Sequence, residues 1–303
     1  MPELPEVETT ARHLNKKVRG RIIKDLWTDW PKYFRQPRGG KAFRKMLLGR
    51  KILSVGRKGK NVLFRLSGGY LMLAHQKMTG HFLVGKWRAS MKRGVGGVWS
   101  GQKWIPAERG GPLGNDRNRF IRLIFFLDNG GMLALSDLRR FAKLALGPER
   151  IILDLKELKE LGPEPLEPGF TFSKFAELFR DKKGKIKKAL LDQTFLSGTG
   201  NIYADESLWW AKIHPLRSIG GLSPAELRRL YVSLRRVLRD AIRFKGSSVD
   251  DYRVPSGHPG FYHLRHEVYH REDEPCRRCG ARIKRIKIGQ RSAHFCPACQ
   301  KPK

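Results

Sequence analysis

Apolar positions near the N-terminus recur at the spacing of an α-helix. Proline at position 5 suits a first helical turn, and Gly20 can end the helix. The apolar face between them consists of Val7, Ala11, Leu14 and Val18. This pattern predicts a helix that begins almost at the start of the chain.

The next part of the chain carries short apolar runs that are typical of β-strands. The runs "NVLFRL", "YLMLAH" and "FIRLIFFL" are separated by "SGG" and "DNGG", which are hairpin-turn sequences. Sheets with one apolar face must bury it against another layer. We therefore predict that residues 1–152 form a β-sandwich domain with a leading helix.

From about residue 153 the pattern becomes helical. The proline-rich stretch "LGPEPLEPGF" predicts a linker over residues 153–168, followed by a helical domain over 169–267. The clearest helix follows "SPAE", where Ser223 is the predicted N-cap, Pro224 the first helical residue and Glu226 the partner in a capping box. Gly246 can end this helix.

Residues 86–118 contain three tryptophans and many glycines, with no clear periodicity. We interpret this segment as one long loop. Its composition fits either a mobile cover or a nucleic-acid contact.

The charge of the chain narrows its partners. It has 62 Lys and Arg residues against 28 Asp and Glu, a net charge of +34 over 303 residues. A field of this size favours a polyanion, and nucleic acid is the first candidate because phosphate contacts supply most non-specific affinity. No apolar run reaches the about 18 residues of a membrane span, and no secretory signal opens the chain, so we expect a cytoplasmic protein without membrane association.

All four cysteines lie near the C-terminus in the pattern C-x2-C-x16-C-x2-C. Two close pairs of thiolates match one tetrahedral structural Zn²⁺ better than two disulfides. We predict a zinc finger over residues 268–303, in which "RIKRIKIGQRSAHF" forms a β-hairpin that turns at Gly289. The predicted metal ligands are Cys276, Cys279, Cys296 and Cys299.

The opening stretch "MPELPEVE" places its acids beside a potential nucleophile. Removal of Met1 would expose the secondary amine of Pro2, and an α-amino group has an ordinary pKa near 7.7–8.0, so part of it is free base at neutral pH. Such an amine can attack a carbonyl or hemiacetal carbon. The carboxyl groups of Glu3 and Glu6 could then transfer protons.

Together, "PELPEVE", "GTGNIYADE" and the four-cysteine finger resemble the formamidopyrimidine-DNA glycosylase family, over nearly the whole chain. The resemblance implies an α+β protein of two domains: an N-terminal β-sandwich with a leading helix, and a C-terminal helix-two-turn-helix domain with a zinc finger. It implies that damaged double-stranded DNA binds between them, as a substrate for base-excision repair in bacteria. We expect a monomer.

The resemblance also implies roles for individual residues. Pro2 resembles the Schiff-base nucleophile, Glu3 the acid that protonates the deoxyribose ring oxygen, and Lys60 a lysine that contacts phosphate and assists catalysis. His75 resembles a phosphate-contacting histidine. Chemistry on a base requires its extrusion from the duplex, and the trio that fills the resulting gap would be Met78, Arg139 and Phe141.

Further matches concern phosphates and the lesion. Asn201 and the backbone N–H groups around it would bind a phosphate at a helix N-terminus, and Arg291 would bind another from the finger hairpin. The matching lesion-pocket residues are Glu6, Glu206, Ser247, Ser248 and Tyr252.

Some positions depart from the family pattern. Leu138 stands where the family usually has proline, and "HQKMTG" differs from the common "HLGMSG". The implied function is a glycosylase with AP lyase activity on oxidised purines such as 8-oxoguanine and formamidopyrimidines. Two alternatives remain open: an endonuclease VIII-like enzyme for oxidised pyrimidines, and a non-catalytic zinc-finger protein that binds DNA.

Overall fold

The structure is a computed structural model that describes residues 1–93 and 99–302. The chain forms two compact units. The first consists of Met1–Pro2, Glu6–Leu155 and Ser247–Gly260, and the second of Glu3–Pro5, Lys156–Gly246 and Phe261–Lys303. None of the helices in the described ranges has the length and apolar content that a membrane crossing requires.

Two β-sheets dominate the first unit. Its helices are α1 (Leu4–Val18), whose first two residues group with the second unit, α2 (Gly40–Leu47) and α3 (Glu149–Leu153). Its strands are β1 (Ile23–Thr28), β2 (Phe34–Gln36), β3 (Ile52–Lys58), β4 (Asn61–Leu66), β5 (Tyr70–His75), β6 (His81–Gly85), β7 (Trp87–Arg93), β8 (Trp99–Pro106), β9 (Ile121–Leu127), β10 (Met132–Ser136) and β11 (Lys143–Pro148).

The two larger sheets share one apolar core. One has the order β1-β9-β10-β6 and the other β2-β11-β5-β4-β3. The core contains Phe64 and Phe82, in edge-to-face contact at 5.6 Å, and the apolar face of α1. The predicted helix is confirmed, since Val7, Leu14 and Val18 are fully buried and the chain turns at Gly20 with φ +82°.

The prediction of one long irregular loop over residues 86–118 is wrong. Strands β7 and β8 form an antiparallel pair within it, and two short 3-10 turns follow, while residues 94–98 lie outside the described part. Trp104 packs edge-to-face on Trp27 at 5.4 Å, and Trp87 is buried. Trp87 and Trp104, which we interpreted as loop residues, are therefore packing residues.

The second unit is mainly helical. It contains α4 (Lys156–Lys159), α5 (Phe172–Glu177), α6 (Ile186–Leu191), α7 (Asn201–Ala211), α8 (Pro224–Arg243), β12 (Lys284–Ile288) and β13 (Arg291–Phe295). The predicted capping box is confirmed, with both hydrogen bonds between Ser223 and Glu226 present. The predicted finger hairpin is also confirmed, as β12 pairs with β13 across Gly289, whose φ is +61°.

The boundaries of the compact units differ from the predicted domains. Much of the proposed linker packs within the second unit, where Ser197 N donates to Pro163 O and Arg235 Nη1 to Pro165 O. Ser247–Gly260, predicted to belong to the helical domain, groups with the first unit because Val84 N donates to Pro255 O. The zinc finger belongs to the same compact unit as the helices, and Gln300 Nε2 donates to Ile213 O. Local composition does not indicate such long-range hydrogen bonds, so it could not predict these boundaries.

Candidate catalytic and nucleic-acid-binding sites

The carboxylate of Glu3 occupies the N-terminus of α7. Its Oε1 accepts a hydrogen bond from Ile202 N at 3.1 Å, and its Oε2 accepts one from Tyr203 N at 3.4 Å. The side chain is buried, and a negative charge is stabilised at this end of a helix dipole. Pro2, the residue before it, is also buried, whereas Met1 is exposed.

Two glycines make room for this arrangement. Leu4 N donates to Gly198 O at 3.0 Å, and Gly198 has a φ of +83°, which favours glycine. At Gly200 an added Cβ would overlap the Glu3 carboxyl group. The "GTG" sequence therefore serves the approach of the acid to the helix.

This geometry corrects one sequence prediction. We expected the backbone N–H groups at the start of α7 to bind a phosphate, but those of Ile202 and Tyr203 already bind Glu3. Phosphate binding by the Asn201 side chain stays a prediction. This side chain is half-buried, and its Oδ1 has no hydrogen-bond partner in the described residues.

Four of the predicted lesion-pocket residues lie together in the first unit. Glu6 Oε1 accepts a hydrogen bond from Ser247 N at 2.8 Å, and Tyr252 Oη donates to Glu6 O at 3.2 Å. Ser248 Oγ donates to Tyr252 O and accepts from Gly260 N. Residues 247–252 are thus tied to α1 through Glu6 in the first turn of this helix.

The fifth predicted pocket residue, Glu206, is on α7. It is fully buried in the second unit, where its carboxylate accepts hydrogen bonds from the backbone N–H groups of Glu267, Val268 and Tyr269. Burial raises the pKa of Glu206 to about 7, although the three N–H donors oppose the shift. These contacts give it a structural role in holding residues 267–269.

Lys60, in the turn before β4, lies close to His75 at the end of β5. Lys60 is buried and immediately precedes Asn61, which pairs with His75. Burial lowers the pKa of His75 to about 3, and the charges of Lys77, Lys60 and Lys143 lower it further. Lys77 N donates to His75 Nδ1, so the neutral ring carries its proton on Nε2. A neutral histidine in this tautomer can donate a hydrogen bond to a phosphate oxygen.

Met78, Arg139 and Phe141 form an exposed cluster. Arg139 Nη1 lies 3.1 Å from Met78 Sδ, and its guanidinium stacks 4.5 Å from the ring centre of Phe141. Met78 and Phe141 are 42% and 47% exposed, so neither is a core residue. Leu138, in the same loop, is equally exposed. Apolar side chains beside an arginine are suited to insertion between bases.

The neighbouring Arg140 faces a different set of groups. Its Nη2 lies 3.3 Å from Asp29 Oδ2, and its guanidinium stacks on Trp30 at 4.8 Å. Asp29 also pairs with Arg122 at 2.7 Å. Of the two adjacent arginines, Arg139 is therefore the one at the exposed tip.

The four cysteines meet at a site that fits a metal. Their Sγ atoms all lie within 4.8 Å of one another, and Cys279 Sγ is 3.4 Å from those of Cys296 and Cys299. Four sulfurs bound to tetrahedral zinc at about 2.3 Å would be roughly 3.8 Å apart. The donor set and spacing therefore suit a thiophilic ion.

A buried polar network, which the sequence did not reveal, attaches the finger to the helices. Asp205 on α7 pairs with Lys187 Nζ at 2.6 Å, and both side chains are fully buried. The same carboxylate accepts from His294 N on β13, and Lys187 Nζ donates to Ser292 O. Arg291 is exposed at the start of β13. The network fixes the strand on which this arginine stands.

Comparisons with known proteins agree over the whole chain. Residues 1–144 match the formamidopyrimidine-DNA glycosylase N-terminal domain, residues 161–253 match the formamidopyrimidine-DNA glycosylase H2TH domain, and residues 273–302 match a zinc finger found in FPG and IleRS. The formamidopyrimidine-DNA glycosylase of Pelotomaculum thermopropionicum is 40% identical over 303 residues, covering 100% of each chain. That of Heliobacterium modesticaldum is 39% identical, covering 99% of this chain and 100% of the relative.

Solved structures give the same result. A mutant Lactococcus lactis FPG in complex with DNA containing Fapy-dG is similar with a TM-score of 0.83 and 32% identity, covering 99% of this chain and 100% of that one. The Lactococcus lactis Fpg with abasic-site DNA is similar with a TM-score of 0.82 and 31% identity, covering 99% of each chain.

Proposed function

The chain belongs to the formamidopyrimidine-DNA glycosylase family, and from this membership we propose that it removes oxidised purines from double-stranded DNA with Pro2 as its nucleophile. The family is one of base-excision-repair enzymes with glycosylase and AP lyase activity. The observation that carries the specific proposal is the placement of Glu3, the residue after the nucleophile, on the N-terminus of α7.

The proposed reaction uses the chain's own groups. The amine of Pro2, freed by removal of Met1, attacks C1′ of the damaged nucleotide, and the N-glycosidic bond breaks as the base leaves. The attached amine gives its N–H proton to the Glu3 carboxylate, Glu3 passes this proton to the deoxyribose ring oxygen, the ring opens, and an iminium joins Pro2 to the sugar. Successive β- and δ-elimination then release the 3′ and 5′ phosphates, and hydrolysis of the iminium frees the enzyme.

The other predicted residues would hold the DNA. Lys60, directly before β4, and the neutral His75, on the adjacent β5, can contact one stretch of phosphate backbone. Met78, Arg139 and Phe141 would fill the gap that the extruded nucleotide leaves. Glu6, Ser247, Ser248 and Tyr252 would border the damaged base. We propose that a monomer acts on chromosomal DNA in the bacterial cytoplasm.

The four-cysteine site is proposed to hold one structural Zn²⁺. Zinc bound by four thiolates supplies folding energy and no open coordination position, so it takes no part in the chemistry. Cys276, Cys279, Cys296 and Cys299 would order the hairpin that presents Arg291 to a phosphate.

Borohydride trapping tests the proposed nucleophile. The enzyme and a duplex with 8-oxoguanine opposite cytosine should form a covalent adduct when borohydride reduces the iminium. A variant with one residue inserted before Pro2 should lose the adduct, because the proline nitrogen becomes an amide, while one with an added C-terminal residue should keep it. The intact mass of the purified protein establishes the removal of Met1.

Two results would contradict the proposal. Undiminished trapping by the N-terminally extended protein would exclude Pro2 as the nucleophile. Preferential excision of oxidised pyrimidines across a panel of lesion-bearing duplexes would favour the endonuclease VIII-like alternative, and a failure of every lesion to be excised would favour the non-catalytic one.

A further inference from the structure

Two loops of the first unit carry the exposed cluster of Met78, Arg139 and Phe141. The first, residues 76–80, follows β5, and the second, residues 137–142, joins β10 to β11. Each contains a non-glycine residue in the left-handed region: Lys77 with φ 55° and Arg140 with φ 57°. Such conformations cost free energy and persist only where the surrounding structure enforces them.

One buried carboxylate makes hydrogen bonds in both loops. Asp137 is fully buried, and its Oδ1 accepts a hydrogen bond from Thr79 Oγ1 at 2.5 Å. Its Oδ2 accepts from Ala142 N at 3.0 Å, and also from Tyr33 Oη at 3.2 Å. Asp137 therefore closes its own loop and reaches across to the other.

The Thr79 hydroxyl completes a direct link between the loops. While it donates to Asp137, its Oγ1 accepts a hydrogen bond from Arg139 N at 3.0 Å. Thr79 directly follows Met78 in the sequence. One buried hydroxyl thus joins the backbone of Arg139 to the residue next to Met78, and Arg139 Nη1 lies 3.1 Å from Met78 Sδ.

We propose that Asp137 and Thr79 are positioning residues that hold Met78, Arg139 and Phe141 in one arrangement and thereby set discrimination for the base opposite the lesion. The inference rests on the proposed function, in which this cluster enters the duplex. Neither residue touches the reacting atoms, so neither is a catalytic residue. Their effect reaches the DNA through the position of the arginine that reads the orphaned base.

The substitution Thr79→Val tests the link with little change of shape. The loss of the hydroxyl removes two hydrogen bonds. We expect the ratio of excision opposite cytosine to excision opposite adenine to fall by about fivefold or more, because the loss of even one good hydrogen bond would produce a change of this size. Thr79→Ser keeps the hydroxyl and should restore the parental ratio. Borohydride trapping at a preformed abasic site should stay close to the parental level in both variants.

A stability-matched control separates positioning from general destabilisation. Val237→Ala removes volume from the apolar core of the second unit, whereas both loops belong to the first, and it should lower the melting temperature while keeping the parental ratio. A second variant, Asp137→Asn, places an amide N–H₂ against either the Thr79 hydroxyl or the Ala142 N–H. It should reduce the ratio as Thr79→Val does, and it decides the question if Thr79→Val does not fold.

The outcomes distinguish this inference from the proposed function. If the parent excises 8-oxoguanine and both Thr79→Val and Asp137→Asn discriminate as the parent does, the positioning role is wrong and the proposed function stands. A reduction of the ratio by the same factor in Val237→Ala would also overturn it. A parent that neither excises nor traps would overturn the proposed function itself.

Discussion

An added β-carbon on Gly200 would lie 2.3 Å from the carboxyl carbon of Glu3. The missing side chain at position 200 therefore gives the carboxylate its path to Ile202 N and Tyr203 N. The backbone of Gly200, at φ −135°, is of a kind that any residue adopts. Glycine is required at position 200 because the Glu3 carboxyl group occupies the space of a side chain there. The "GTG" motif thus accommodates the proposed acid.

The substitution Gly200→Ala should displace Glu3 without straining the backbone. The proton donor would leave its position, so we expect excision of 8-oxoguanine to fall by about 10²-fold, within the range of general acid catalysis. Single-turnover excision is the measurement. Gly220→Ala is the control, because no atom of the residues that the structure describes lies within 4 Å of an added Cβ there. Parental activity in Gly200→Ala would show that the Glu3 contact with α7 is dispensable.

Several elements were predictable because their determinants are local. The capping box of α8 needs only Ser223, Glu226 and the proline between them. The apolar face of α1 follows likewise from the helical spacing of its apolar residues, and the finger hairpin from the turn residue Gly289. Short-range hydrogen bonds and periodic burial of this kind are what a sequence pattern encodes.

The features missed depend on contacts between distant residues. Glu3 meets α7 about two hundred residues later in the chain, and Asp137 meets Thr79 across two loops. Nothing near Asp205 in the sequence indicates that it binds Lys187 and His294. The hairpin of β7 and β8 was missed because its tryptophans gave no alternation. For Glu206, the resemblance pointed to the lesion, whereas the structure shows three backbone donors.

The raised pKa of Glu206 predicts a stability change with pH. The pKa of about 7 in the folded protein exceeds the ordinary value of 4.5, so protonation favours the folded state. The contribution of Glu206 is fully present below pH 4.5 and is lost as pH rises through 7. Melting temperatures between pH 4.5 and 8 should therefore decline less in Glu206→Gln than in the parent. Parallel curves would contradict the burial effect.

Removal of one cysteine ligand should release the metal. Cys276→Ser leaves three thiolates, and because metal binding supplies folding energy, we expect loss of bound zinc and of most DNA affinity. Metal analysis and a binding titration on the same preparation measure both. Zinc retained at one equivalent would show that Cys276 is not a ligand.

Arg291→Ala should separate the metal from the phosphate contact. Zinc content should be parental, DNA affinity should fall, and the slope of log K against log salt should become shallower by about 0.9, the value for one phosphate. Arg180→Ala removes an exposed cation that we do not propose as a contact, and it should leave the slope unchanged. An unchanged slope in Arg291→Ala would place that arginine away from the DNA backbone.

Arg139 should determine the preference for the base opposite the lesion. An arginine offers only hydrogen-bond donors, and cytosine presents two acceptors, O2 and N3, on its Watson–Crick edge. Adenine presents one acceptor, N1, beside an amino donor that would face the guanidinium. We expect excision opposite cytosine to exceed excision opposite adenine by an amount that corresponds to about 1–3 kcal/mol, the value of a good bidentate contact.

Arg139→Ala should bring the two rates together and leave trapping at an abasic site largely intact. Arg140→Ala is the matched control, because that side chain faces Asp29 and Trp30 and should not alter the ratio. If Arg139→Ala discriminates as the parent does and Arg140→Ala does not, the reader is Arg140, and its contact with Asp29 must break when DNA binds.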